Sequence, residues 1–134
     1  MDPVRLFAIL SWILLPTVMY GEYSLLDLTV KQNPFLTEFR EKSFRAGHAH
    51  AGVLLVMSLV YYVFLGQTTF ASGLKLVLCI VLLVGILAQS GGFFLHMMVG
   101  KPGRRSSGTL VTTLGAVLLA FSTLFLAYGL AVGV

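Results

Sequence analysis

A chain of 134 residues with 57% hydrophobic and only 10% charged side chains does not have the composition of a soluble globule. With a mean hydropathy of +0.94 and several apolar runs of spanning length, it reads as an integral membrane protein. The formal net charge of +4 is modest and its basic residues gather near expected membrane boundaries. That pattern points to topology and lipid headgroups as the bilayer partner, and away from nucleic acid.

The first apolar segment is expected over residues 3–26. Asp2 beside Arg5 and the lack of a small-x-small cleavage site favour a retained helix over a cleaved signal. Pro16 falls inside it and is expected to kink it, which neighbouring helices tolerate in a membrane. The polar stretch 27–45 follows as a connection. In it Asn33-Pro34 resembles a cap and first helical position, so a short surface helix or a loop is expected, with Phe35, Phe39 and Phe44 dipping into the interface.

The second segment is expected over 46–66 and ends in Tyr61-Tyr62 and Phe64, the pattern of an aromatic belt. The third is expected over 74–100. It holds Cys79, whose position in the middle of an apolar run reads as a buried, inert thiol with no intrachain partner. Lys101-Pro102-Gly103-Arg104-Arg105 then forms the connection 101–108, and the fourth segment covers 109–133. Ala116 with Ala120 and Gly129 with Gly133 are candidate small-residue contacts in it. The whole chain is thus expected to form one transmembrane domain, an all-α integral membrane four-helix bundle.

Four spans put both termini on one side. The connections 27–45 and 101–108 carry seven of the nine basic residues, leaving only Arg5 and Lys75 opposite. The positive-inside rule assigns those connections to the cytoplasm and both termini to the outside.

That topology gathers residues distant in sequence. His48, His50, His96 and Glu22 are all expected within roughly 5–10 Å of the cytoplasmic boundary at 1.5 Å per residue, at the level of Thr109, Thr112 and Thr113. His48 and His50 diverge by about 200° on a regular helix, so only one of them can face a shared site. On the third helix Gly85, Gln89, Gly92 and His96 share a face. Its glycines would admit another helix or a flat cofactor, while Gln89 and His96 offer polar contacts.

Three readings follow. His96 with His48 or His50 ligates a haem iron, or with Glu22 a transition metal such as iron, zinc or copper. Alternatively, the histidines and Glu22 form a proton or quinone relay, or the histidines simply hydrogen-bond between helices. Phosphate loops, nucleophile elbows, CxxC metal sites and c-type haem attachment motifs are absent from the sequence.

The stretch FRAGHAHAGVL (Phe44–Leu54), with Met19-Tyr20-Gly21 before it and Gly91-Gly92-Phe93-Phe94-Leu95-His96 after it, resembles a family of small bacterial four-span membrane proteins. That likeness covers most of the chain and implies no activity. More distantly, His-x-His opening an apolar helix is similar to the haem-binding helices of haem–copper oxidase core subunits. Those subunits need many more histidines than the three present here. The resemblance implies at most a single haem b or metal on His48 or His50 and His96.

The expected function is a haem- or metal-binding protein of a bacterial inner membrane in redox or respiratory work. Gln89 and Glu22 would tune the ligands. An accessory subunit of a larger membrane complex is the alternative, followed by a homo-oligomeric transporter or proton relay.

Overall fold

The computed structural model describes residues 1–133. It contains α1 (Pro3–Val30), α2 (Glu38–Gln67), α3 (Ser72–Val99) and α4 (Ser107–Val132), each long and apolar enough to cross a membrane. The all-α four-helix bundle expected from the sequence is what forms. Neighbouring helices run antiparallel: Ser58 meets Ser11 while His48 meets Gly21. The connections at 31–37 and 100–106 lie at one end of the bundle, and both termini and the α2–α3 connection lie at the other. Among the described residues, α2 and α3 form the central pair, and the flanking helices α1 and α4 do not touch.

The largest boundary error concerns α2. It begins at Glu38 and not near 46, so the polar stretch read as a connection is mostly helix. Thr37 caps it by accepting from the Arg40 N–H at 3.4 Å, whereas the Asn33 side chain closes a turn by accepting from the Phe35 N–H. Glu38 pairs with Lys42 and Glu41 with Arg45 at i,i+4 spacing, the order that supports a solvated helix. At 1.5 Å per residue α2 is about 45 Å long, against about 30 Å of bilayer hydrocarbon, so its charged first turns project beyond the apolar span. On the other side of the same connection, α1 continues to Val30, and helix geometry persists through Pro16.

The tightest packing joins α3 and α4. Gly108, Gly115, Ser122 and Gly129 are the buried residues of α4, and they recur every seven residues on one face. A methyl group on Gly115 would overlap the Gln89 backbone and the Gly85 carbonyl. One on Gly92 would overlap Thr112 and the Gly108 carbonyl. The opposite face of α4 carries exposed Leu110, Leu114, Val117, Phe121, Leu124 and Tyr128. Bulky residues outside and small ones inside invert the soluble pattern. This arrangement suits a lipid surround, where close backbone approach replaces hydrophobic burial as the driving force. Ala116 and Ala120, read from the sequence as contacts, face outward.

The apolar core lies in the half of the bundle nearer the termini, around Leu55, Leu65, Leu78, Leu82, Ile86 and Cys79. Tyr61 and Tyr62 belong to it, with exposures of 5% and 1%. They are not an interfacial belt. Tyr61 Oη shares a hydrogen bond with Ser122 Oγ at 2.7 Å, and Ser122 Oγ donates to the Leu78 carbonyl. Ser58 Oγ donates to Ser11 Oγ or to the Leu55 carbonyl. Tyr62 Oη faces the Ser11 and Ser58 hydroxyls without a hydrogen bond of good geometry. Polar groups thus occur in both halves of the spans, not only at the connection end.

Two measurements test this packing. Gly115→Ala should lower stability by about 1–3 kcal/mol through overpacking, and Ala116→Leu should leave it within about 0.5 kcal/mol, as read by denaturant titration in detergent. Tyr61→Phe should cost about 1 kcal/mol for its lost hydrogen bonds, whereas Tyr62→Phe should be neutral or stabilising.

Candidate functional site

The connection end holds all three histidines, and each imidazole lies against a phenyl ring. His48 stacks on Phe44 one turn earlier, with centroids 6.1 Å apart, and its Nδ1 approaches Gly21 of α1. His50 turns the other way, 4.9 Å from the Phe93 ring of α3. His96 meets Phe39 of α2 edge-on at 5.2 Å. The divergence of His48 and His50 follows from helical periodicity, as expected. Between them Gly47 lets α2 approach α3, close to Ser90 and Phe93, so no slot for a flat cofactor separates the two helices there.

His96 does not share a site with either. Its Nδ1 lies 2.7 Å from Ser106 Oγ: it donates to that oxygen in one tautomer and accepts the serine proton in the other. Ser106 also caps α4, accepting from the Gly108 N–H at 3.1 Å within a reciprocal capping box closed by Thr109. On α3 His96 lies three residues past Phe93, which is level with Gly47 of α2, so it sits about one helical turn nearer the connections than His48.

The remaining candidates are also distributed. The glycine face of α3 is filled by α4: Gly92 receives Thr112 and Gly108, and the Gln89 carbonyl accepts from Thr112 Oγ1 at 3.4 Å. The cofactor cleft expected at Gln89 and Gly92 is thus a helix–helix contact. Glu22 is exposed on α1, and Arg45 pairs with Glu41. Among the described residues no three His, Cys, Asp or Glu side chains gather closely enough to hold a metal ion. The set His48, His50, His96 and Glu22 does not assemble within one chain.

His50 is the histidine whose surroundings fit a ligand. Its Nδ1 lies 2.7 Å from the Ala46 carbonyl, and a carbonyl oxygen only accepts, so Nδ1 carries the proton. In the neutral ring Nε2 then keeps its lone pair. The ring lines an outward hollow of about 200 Å³ with Ala49, Val53 and Leu54. Leu54 also borders a lateral apolar groove of about 240 Å³ between α2 and α4. Sequence reasoning missed the phenyl collar and the Nδ1 bond. The i,i+4 spacing of Phe44 and His48 could have revealed one collar contact, but the others join different helices.

Compared with models of protein families, with curated proteins and with solved structures, the chain matches none.

Ser106→Ala removes both the cap and the imidazole partner. It should destabilise the protein by about 1–2 kcal/mol, measurable as a lower unfolding midpoint, with faster amide exchange in the first turn of α4.

Proposed function

We propose that this is a multi-pass protein of a bacterial inner membrane, with both termini outside, that supplies His50 as one ligand to a haem b or a transition metal in redox or respiratory work. The observation that carries this reading is the bond between His50 Nδ1 and the Ala46 carbonyl at 2.7 Å. Ligating imidazoles characteristically donate their second nitrogen to a carbonyl or carboxylate, which orients the ring and raises its basicity. An imidazole with a free lone pair on an outward, apolar surface is costly in a bilayer and marks an interaction.

Because His48, His50 and His96 diverge, a second ligand must come from outside this chain. That requirement favours an accessory subunit, or a second copy, that completes the site within a larger membrane assembly. His96 and Ser106 then serve the structure of the α3–α4 turn and are not ligands. His48, against α1, is a packing residue. The basic connections supply the topology: seven of nine lysines and arginines lie on the connection side, which the positive-inside rule assigns to the cytoplasm.

Protein purified with its native lipids from cells supplied with haem and iron should show a Soret band and a reduced-minus-oxidised signal, or bound metal by elemental analysis. His50→Ala should remove the signal, while His96→Ala and His48→Ala should keep it. A colourless, metal-free preparation would sink the proposal.

A further inference from the structure

Six of the seven cations at the connection end fall into two groups. Lys31, Lys42 and Arg45 each pair with a carboxylate one turn away on their own helix. Among the described residues, Lys101, Arg104 and Arg105 pair with none. The tight turn between α3 and α4 holds these three together: the Arg104 N–H donates to the Lys101 carbonyl at 3.2 Å, and Gly103 takes φ 71° to close it. Residues with side chains rarely adopt that φ.

With Ser106, the three cations line a hollow of about 180 Å³. At Gly100 this hollow meets a larger cleft of about 760 Å³ between the turn and the first turns of α2. The cleft has apolar walls at Phe39 and Met97, the neutralised Glu38–Lys42 pair in its lining, and a further cation at Arg40. Arg40 donates to the Phe35 carbonyl at 3.0 Å and lies over the Phe35 ring, which holds it in position. Like charges crowded around one hollow repel each other, and an anion between them reverses the sign of that energy. The combination of cationic hollow and adjoining apolar wall lies just beyond the apolar spans, at the level of lipid headgroups.

We propose that this turn is a binding site for an anionic phospholipid. The phosphate lies against Lys101, Arg104 and Arg105, with Ser106 as a hydroxyl partner, and the glycerol and upper acyl carbons lie along Phe39 and Met97. The site is independent of the ligand proposed for His50. Its recognition chemistry is that of a phosphate, whether on a lipid or free, and the apolar wall favours the lipid.

The test uses full-length protein in phosphatidylcholine nanodiscs doped with phosphatidylglycerol, with lipid retained through detergent extraction counted by mass spectrometry. Wild type should retain phosphatidylglycerol preferentially. The triple variant Lys101→Gln, Arg104→Gln, Arg105→Gln should reduce that preference on the order of tenfold. The charge-matched variant Lys31→Gln, Arg45→Gln, Lys75→Gln, whose positions line neither the hollow nor the cleft, should keep it. Equal loss in both triples, or no preference in wild type, overturns the site, as does displacement of the lipid by excess inorganic phosphate. Unchanged unfolding midpoints in both variants show that the comparison concerns folded protein.

Discussion

Close contact between α3 and α4 is the constraint on which the rest of the bundle depends. Inside a bilayer, burying a leucine against another helix gains little over burying it in lipid, so association rests on how closely two backbones can approach. The repeat Gly108, Gly115, Ser122, Gly129 gives α4 a face with almost no side chain. Gly85 and Gly92 answer it on α3. A period of seven keeps that face turned toward one neighbour along a left-handed crossing. Once α4 is held there, the Ser122–Tyr61 bond ties the pair to α2, and Ser106 meets His96 at the connection end.

The two halves of the bundle are held differently. Nearer the termini, leucines and the two tyrosines fill a core around Cys79. At the connection end, small residues and phenyl rings dominate: Gly47 and Gly92 permit the approaches, and Phe39, Phe44 and Phe93 each cover an imidazole. Each imidazole thus meets a phenyl ring and not another imidazole. Polar chemistry in this molecule therefore works outward from the bundle. His50 opens to a lateral hollow, and the basic turn opens to the headgroup level.

The projecting start of α2 links the membrane span to its surface. Its acid-to-base pairs solvate a helix that continues without interruption into the apolar span. That continuity carries Phe39 to His96 and Arg40 to the cleft beside the α3–α4 turn. A flexible loop in the same stretch would leave both without a fixed partner.

The sequence by itself determined what depends on local periodicity and composition. It determined the four apolar spans, the charge asymmetry between the two ends, and the divergence of His48 from His50 on one helix. The early start of α2 was also legible, in Thr37 followed by Glu38, Glu41, Lys42 and Arg45, although the polarity of that stretch reads first as a connection. Only the tertiary structure decided which faces meet. Ala116–Ala120 and Gly108–Gly115 are comparable small-residue pairs in the sequence, and packing chose the second. Tyr61-Tyr62 has the pattern of an interfacial belt until packing buries both rings and gives Tyr61 a partner in Ser122. The depth of His96 relative to His48 depends on the register between helices, which is set by non-local contacts. A one-dimensional pattern fixes a residue's angle on its own helix, but its distance from a residue on another helix exists only once the two are packed.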